Sequence, residues 1–162
     1  MDVQPTYIEI TSNPIRLDEW IEKITLPSTG AICSFTGVVR AYSGIEGFPE
    51  ETQYLEYEAY IPMAEIKMGQ IAAEIRARWS TVIGIVIVQR IGRLYPETPT
   101  VLIACSSAHR DTGVFEAARY GIDRLKEIVP VWKKEVTLKD ETWIEGSYRP
   151  DESDKKDVLH DS

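Results

Sequence analysis

An uninterrupted apolar run of strand length, Val82 to Val88 (VIGIVIV), limits the folds open to this chain more than any other feature. A strand of this composition is expected to lie buried on both faces of a sheet. A second such run, Thr100 to Cys105 (TVLIAC), follows after a turn from Tyr95 to Pro99 that contains two prolines. The chain must therefore cover both faces of a central sheet, which requires helices as well as strands.

Apolar residues recur at helical spacing in two long segments and one short one. The first long segment begins with Pro62, which suits the first turn of a helix, and the second ends before Pro130, which stops one. The stripes are Ala64, Met68, Ile71, Ile75 and Trp79 in the first helix, Val114, Ala118, Ile122, Leu125 and Val129 in the second, and Leu17, Trp20, Ile21 and Ile24 in the short one.

The remaining elements are predicted from alternation and turn residues. Half-exposed strands are predicted at 7–11, 53–60 and 131–138, and the segment 31–40 predicts a core strand with a bulge at Gly37. Residues 42–51, with two glycines and a proline, predict a mobile surface loop. Because strands and helices interleave, we predict one domain of the α+β class, or of the related α/β class, over residues 1–147. A polar tail is predicted over 148–162.

Composition excludes several classes of protein. The chain has 162 residues, which is one domain of ordinary size. Its net charge of -8 opposes contact with a phosphate backbone, so no nucleic-acid partner is expected. There is no apolar run of about 20 residues and no basic N-terminus followed by an apolar stretch. We therefore predict no membrane span and no secretory signal, and we expect a cytoplasmic location.

Two cysteines, Cys33 and Cys105, lie far apart in apolar stretches and are expected to be buried, reduced thiols. With no Cys-x-x-Cys and only two histidines, a zinc site is not expected. The motifs of P-loop nucleotide hydrolases, Rossmann dehydrogenases, zinc proteases and α/β-hydrolases are absent. What remains is a set of basic residues at the ends of the predicted elements.

His109 and Arg110 lie where a buried strand gives way to a helix. Backbone N–H groups and the positive end of the dipole at a helix start favour an anion, and two basic side chains there would strengthen that preference. The alternative is that Ser106 or Ser107 caps the helix while His109 and Arg110 are solvated.

Two lysines and one further arginine have positions suited to chemistry. Lys126 lies on the flank of the last predicted helix, where its amine can reach a cleft or simply extend into solvent. Lys133 and Lys134 are adjacent in a strand and must point to opposite faces; a partly buried lysine near other cations has a lowered pKa and can transfer protons. Both could instead be charges that protect an edge strand. Arg40 ends a predicted strand next to the predicted loop, a common place for binding residues.

Six short motifs occur in series over residues 30–146 and together resemble the large, catalytic subunit of molybdopterin synthase. They are Phe35-Thr36-Gly37-x-Val39-Arg40, then Arg90-Ile91-Gly92 before Leu94-Tyr95-Pro96, then Ser107-Ala108-His109-Arg110, Phe115-Glu116-Ala117, Leu125-Lys126 leading to Pro130-Val131-Trp132-Lys133-Lys134-Glu135, and Trp143-Ile144-Glu145.

This resemblance implies an α/β hammerhead-type fold and a homodimer within a heterotetramer that has a small ubiquitin-like subunit at each end. The small subunit would bring a C-terminal Gly-Gly thiocarboxylate into a pocket. Sulfur would then pass to cyclic pyranopterin monophosphate and, after two transfers, form the dithiolene of molybdopterin. No metal or other cofactor is implied for this step.

The resemblance assigns substrate binding to Phe35, Arg40, His109 and Arg110, and catalysis to Lys126 and Lys133. Our hypothesis is that Lys133 stabilises or protonates a tetrahedral oxyanion, while Lys126 assists opening of the phosphate ring or proton transfer. The sequence leaves open whether His109 and Arg110 serve the pocket of their own protomer or of the other. Because the sulfur arrives on the partner, neither cysteine is expected to carry it.

Two positions depart from the family pattern, and two other functions compete. Val38 stands where many relatives have a basic residue, and Ser147 where relatives often have an arginine; Arg149 is the next one. One alternative is a non-catalytic module that binds an anion or an acidic peptide in the same basic pocket. The other is a purely structural subunit, in which Arg40, His109 and Lys126 would lie far apart.

Overall fold

The computed structural model describes residues 4–42, 51–138 and 141–144, the last four by their backbone alone. Over these residues the chain forms three helices and eight strands. In chain order they are β1 (Thr6–Thr11), α1 (Leu17–Lys23), β2 (Ala31–Val38), β3 (Thr52–Ala59), α2 (Ile61–Arg78), β4 (Val82–Arg90), β5 (Gly92–Leu94), β6 (Pro99–Ser107), α3 (Val114–Ile128), β7 (Val131–Thr137) and β8 (Glu141–Ile144).

The first sheet has the strand order β1-β4-β6-β2, and β1 with β4 is its parallel pair. Its central strands are the two apolar runs, and their side chains are buried on both faces as predicted. Ile85 and Ile87 of β4 pack into the core under α2 and α3. Val86 and Val88, which point the other way, pack with Ile24 after α1. The sheet thus has helices on both faces, which confirms the mixed helix and strand architecture.

The second sheet has the order β5-β3-β7-β8, and every neighbouring pair in it is antiparallel. Its inner face carries a small apolar cluster of Leu55 and Tyr57 from β3, Leu94 from β5, and Val39, which follows β2. Val39 therefore joins the end of one sheet to the face of the other. The short strand β5 was not predicted, because three residues are too few for a period to show.

The strand predicted at 31–40 differs from expectation in two respects. It ends at Val38, because the β2–β6 register shifts between Gly37 and Val38, where the bulge was predicted. It is also an edge strand with partly exposed side chains rather than a core strand. Cys33 packs against the core under α2 and α3, and Ile32 packs against the cluster beside α1 on the other face, which explains an apolar composition without full burial.

Several expectations fall outside the described residues. These are the loop at 43–50, the residues Ser147 and Arg149, and the tail at 148–162, so the domain boundary at 147 stays a prediction. On either side of the loop, Tyr42 and Glu51 form an antiparallel bridge. Within the described ranges, no helix combines the length and the apolar character that crossing a bilayer would demand.

Candidate active site

Arg40 was predicted to end a strand. In the structure it lies two residues beyond the end of β2. Its neighbour Val39 is fixed by two backbone hydrogen bonds to the turn before β6: it donates to Thr98 O (3.0 Å) and accepts from Glu97 N (2.9 Å). The Val39 side chain is 3% exposed in the apolar cluster of the second sheet. The exposed side chain of Arg40 therefore projects from a backbone that is held against that sheet.

Lys133 lies on the inner face of the second sheet. It is directly opposite Tyr57 in the β3–β7 register, so the two side chains share a face. Tyr57 is 7% exposed, and Lys133 is half-buried. Burial lowers the pKa of Lys133, and the charge of Arg40 lowers it further, whereas the nearby carboxylate of Glu135 raises it. Lys134 points to the opposite face, as the alternation predicts.

Lys126 is the basic residue in the last turn of α3. The residue keeps much of its surface exposed, but protein atoms surround its ammonium group. This burial lowers the pKa of Lys126, and the charge of Lys133 lowers it further. The two ammonium groups therefore lie within electrostatic reach of each other.

The structure thus gathers three cations from three separate parts of the chain, which are the segment after β2, helix α3 and strand β7. Lys133 is within the electrostatic influence of both Arg40 and Lys126. Like charges at close range destabilise each other, and such arrangements are typical of sites that bind an anion or transfer a proton. A lysine with a lowered pKa can give up a proton nearer neutral pH, so this cluster can both hold an anion and act as a general acid.

Phe35 lies on β2 and is 40% exposed. Alternation puts it on the same face as Cys33, which packs against the core under α2 and α3. It therefore lies on the face of the strand that carries α3, the helix that ends near Lys126. An exposed aromatic ring there can form an apolar wall for a flat ligand.

His109 and Arg110 lie at the other end of the first sheet from Arg40. They follow Ser107, whose partner in the register is Ala31, the first residue of β2. The eight residues of β2 span about 24 Å at the rise of an extended strand. Because Arg40 comes after the far end of that strand, one copy of the chain does not bring these basic residues together.

The direction of α3 agrees with this separation. The helix begins at Val114, just after His109, and Lys126 lies about 18 Å further along its axis at 1.5 Å per residue. Arg40 and Lys126 therefore lie at one end of the molecule and His109 at the other. A purely structural subunit was expected to have Arg40, His109 and Lys126 far apart from one another. Only His109 is far from the other two.

The placement of His109 and Arg110 at a helix start was wrong. Helix α3 begins at Val114 after Gly113, whose φ of 100° requires a glycine; a Cβ there would also lie 2.4 Å from Cδ1 of Trp79. Thr112 and Ser107 instead fix the preceding turn, because both hydroxyls donate to His109 O (2.9 and 2.6 Å).

The alternative prediction, that Ser106 or Ser107 caps this helix, was also wrong. The side chain of Ser106 accepts a hydrogen bond from Gly84 N (2.9 Å), inside the first sheet, and no side chain caps α3. The same alternative predicted that His109 and Arg110 are exposed to solvent, and the structure confirms this. Their basic groups are therefore available to a molecule outside this copy of the chain.

The two cysteines face each other across β2 and β6 as unpaired thiols. Cys105 is buried as predicted, and burial raises its pKa to about 12. Cys33 is only partly buried, because β2 is an edge strand, and its pKa is raised by burial and by the charge of Glu116. Both thiols are therefore poor nucleophiles at neutral pH.

Sequence reasoning missed two residues of the second sheet that approach this site. Tyr57 lies opposite Lys133 on the neighbouring strand, where burial raises the pKa of its phenol and a hydrogen bond with Thr100 acts against that rise. The hydroxyl of Thr52, at the start of β3, donates to Oε1 of Glu135. Alternation along 53–60 was visible in the sequence, but nothing in it fixed which residues of β7 would lie opposite.

A separate groove of about 500 Å³ runs between α2 and α3, and it is not lined by Arg40, Lys126 or Lys133. Two of its lining residues donate hydrogen bonds to the carboxylate of Glu74 in α2: Arg124 through Nε (3.0 Å) and Nη2 (3.1 Å), and Tyr120 through Oη (2.8 Å). The hydrogen bonds from Arg124 are the main reason that the pKa of Glu74 is lowered to about 2. This cluster joins the two long helices.

The model of the family described as MoaE protein matches residues 10–128. The molybdopterin synthase catalytic subunit of Staphylococcus carnosus is 45% identical over 137 residues, which are 84% of this chain and 87% of that protein.

Solved structures give the same result. Molybdopterin synthase from Staphylococcus aureus matches with a TM-score of 0.75 and 43% identity, over 90% of this chain and 98% of that one. The MoaE protein from Burkholderia ambifaria matches with a TM-score of 0.72 and 29% identity, over 94% of this chain and 97% of that one. The similarity therefore extends over most of this chain and most of each relative.

Proposed function

The chain belongs to the MoaE protein family, and from this membership we propose that it is the catalytic subunit of a molybdopterin synthase. In the proposed reaction, sulfur passes from the C-terminal thiocarboxylate of a small ubiquitin-like subunit to cyclic pyranopterin monophosphate. Two such transfers form the dithiolene of molybdopterin. A cytoplasmic location, expected from the sequence, belongs to the same proposal.

The observation that carries this proposal is the cluster of Arg40, Lys126 and Lys133 on a chain whose net charge is -8. Both proposed reactants are anions, a phosphorylated pterin and a thiocarboxylate. An acidic protein that must hold two anions next to each other needs a local concentration of positive charge. Arg40 is suited to the phosphate, because a guanidinium can donate two parallel hydrogen bonds to it.

The two lysines then have separate roles in the proposed chemistry. The thiocarboxylate sulfur would displace an oxygen from a carbon of the pterin and leave a thioester that joins the two molecules. Water would then attack the thioester carbon, and the partly buried ammonium group of Lys133 would stabilise or protonate the oxygen on which negative charge develops. The small subunit would leave as a carboxylate, and the sulfur would stay on the pterin. Lys126 would assist opening of the cyclic phosphate or a proton transfer that accompanies it. The lowered pKa values of both lysines support roles in which the proton moves.

The separation of His109 and Arg110 from Arg40 supports a pocket built by two copies of the chain. Within one copy these residues lie at opposite ends of β2. In a homodimer, His109 and Arg110 of one copy could complete the cationic pocket of the other and contact the pterin or its phosphate. A small subunit at each end of that dimer would make the heterotetramer, with Phe35 as an apolar wall beside each pocket.

A reconstitution tests the proposal. The chain is mixed with cyclic pyranopterin monophosphate and a small subunit whose C-terminus is a thiocarboxylate, and molybdopterin is detected by the fluorescence of its oxidised form. The same small subunit with an ordinary carboxylate is the matched control. We expect product with the thiocarboxylate only. A stable complex of the two proteins that gives no product would favour the non-catalytic binding module instead.

A further inference from the structure

Thr52 forms hydrogen bonds to residues that are near Arg40 and Lys133 in the chain. It is 3% exposed, and its hydroxyl donates a hydrogen bond to Oε1 of Glu135, two residues after Lys133. Its backbone N–H donates to the carbonyl oxygen of Ala41 (2.7 Å), the residue next to Arg40. One buried residue therefore connects the segment that carries Arg40 with the strand that carries Lys133.

A local irregularity in β3 puts Thr52 on the inner face of the sheet. The β3–β7 register shifts between Thr52 and Tyr54, so that Thr52 lies opposite Thr137. Without the shift, alternation from Tyr54 would turn Thr52 to the outer face. The extra residue of a bulge reverses that direction, and bulges often aim a side chain at a functional site.

We propose that Thr52 is a positioning residue of this site. Its hydroxyl holds the carboxylate of Glu135 beside Lys133, while its N–H holds the Arg40 segment against the same strand. Thr52 itself contacts no reactant in this proposal. The proposal rests on the proposed function, because it concerns the lysine to which that function assigns the oxyanion.

The charges around Lys133 determine what loss of this contact would do. The titratable and charged groups of the described residues that face Lys133 are Arg40 after β2, Lys126 from α3, Tyr57 from β3 and Glu135 from β7. Burial and the charge of Arg40 disfavour the charged form of Lys133, and the carboxylate of Glu135 favours it. A carboxylate that turns away would therefore leave burial and the charge of Arg40 unopposed.

The experiment compares Thr52→Val, which keeps the shape and removes the hydroxyl, with Thr52→Ser, which keeps the hydroxyl. The pKa of Lys133 is measured by NMR titration of protein labelled with carbon-13 at lysine Cε, and its signal is assigned with Lys133→Arg. In Thr52→Val we expect a lower pKa for Lys133, and a value close to that of the unsubstituted protein in Thr52→Ser. Equal values in all three proteins would overturn the proposal.

Kinetics provide the second readout. We expect Thr52→Val to lower kcat about tenfold with little change in KM, the size expected for losing one hydrogen bond to a charged group. The basic limb of the pH–rate profile should move to lower pH, because the protonated form of Lys133 is the one required. A Thr52→Ser variant as slow as Thr52→Val would contradict a role for the hydroxyl.

The two readouts separate this inference from the proposed function. If the unsubstituted protein makes no molybdopterin, the proposed function fails, while the NMR titration still decides whether Thr52 sets the charge state of Lys133. If Thr52→Val does not fold, Glu135→Gln takes its place, since it removes the charge that Thr52 holds. An unchanged pKa of Lys133 in that variant would also overturn the proposal.

Discussion

The ammonium group of Lys133, on a strand, lies close enough to that of Lys126, on a helix, to lower the pKa of Lys126. The two residues belong to different layers of the molecule, so this proximity exists only in the folded chain. It is also unfavourable in itself, because two like charges repel. A binding site for anions gives this arrangement a purpose, and several consequences can be measured.

Replacing either lysine by alanine should remove most of the turnover and leave the fold intact. We expect kcat to fall at least about 100-fold for Lys126→Ala and for Lys133→Ala, as is usual for loss of a group that transfers a proton. Lys134→Ala is the matched control, because Lys134 points to the opposite face of the same strand. Full activity in either lysine variant would show that its assignment is wrong.

The same repulsion predicts an effect on stability. The pKa of Lys133 is lower in the folded protein than in the unfolded chain, so its charged form costs folding free energy at pH values below that pKa. After allowance for screening by solvent at this half-buried position, we expect Lys133→Met to raise the free energy of unfolding at pH 7 by no more than about 1 kcal/mol, or ~2–4 °C in Tm.

The gain from Lys133→Met should shrink as the pH rises through the lowered pKa, because Lys133 then loses its charge in the unsubstituted protein. Urea denaturation at several pH values from 7 to 10 measures this trend. Lys134→Met is again the control and should change stability little. A destabilised Lys133→Met at pH 7 would contradict the argument.

The core of the first sheet could be predicted from the sequence, whereas the exact ends of its neighbours could not. The runs at 82–88 and 100–105 can be satisfied only by burial on two faces, and the structure buries them so. The start of α3 was misplaced because Gly113, with its positive φ, delays the helix by several residues. A single glycine in a polar segment does not by itself indicate a positive φ.

In the candidate site, too, some features could be predicted from the sequence and others could not. Arg40, Lys126 and Lys133 could each be named from motifs, but their proximity depends on how α3 and β7 pack. Tyr57 and Thr52 were missed because their places depend on the β3–β7 register, and that register includes a shift. A shift of one residue reverses which side chains face inward, and no property of the alternating sequence fixes it.

Glu74 should contribute to stability through Arg124 in a way that depends on pH. The pKa of Glu74 is lowered from 4.5 to about 2, so its stabilising effect is complete above pH 4.5 and is lost as the pH falls toward 2. We expect Glu74→Gln to cost about 1–2 kcal/mol at pH 7 after allowance for partial exposure.

The more exposed partner of Arg124 serves as the control for Glu74. Glu127 accepts from Arg124 Nη1 (3.1 Å), but its side chain is 60% exposed, so Glu127→Gln should cost less than about 0.5 kcal/mol. Denaturation of each variant between pH 7 and 3 gives the comparison. A Glu74→Gln deficit that stays constant down to pH 3 would rule out the carboxylate as its source.

The cysteines should be dispensable for turnover. Burial raises the pKa of Cys33 and Cys105, so neither is a thiolate at neutral pH, and in the proposed reaction the sulfur arrives on the partner. The double variant Cys33→Ser/Cys105→Ser should keep kcat within about threefold, since no proton transfer or oxyanion contact is removed.

Stability is the control for the cysteine variant. A hydroxyl at the fully buried position 105 should cost about 1–3 kcal/mol, so activity is compared well below the Tm of the variant. Cys105→Ala, which buries no polar group, should lose less stability. Loss of turnover in a folded double variant would mean that a cysteine takes part in sulfur transfer.

Two inactive variants should restore activity to each other if the pocket spans two copies. Lys133→Ala removes the lysine side of the pocket and His109→Ala the other side. In a mixed dimer, one pocket carries both substitutions, whereas the second carries neither. Random exchange of subunits should therefore recover about a quarter of the activity, because half of the dimers are mixed and half of their pockets are intact.

The control for this complementation uses two residues from the same side of the pocket. Lys126→Ala and Lys133→Ala lie in one cluster, so each pocket of their mixed dimer carries one substitution and no activity should return. Subunit exchange is verified by pulling down an untagged variant with a tagged one. If exchange occurs and Lys133→Ala with His109→Ala stays inactive, His109 does not act across the dimer; since His109 and Arg40 lie at opposite ends of β2, it would then have no place in the pocket.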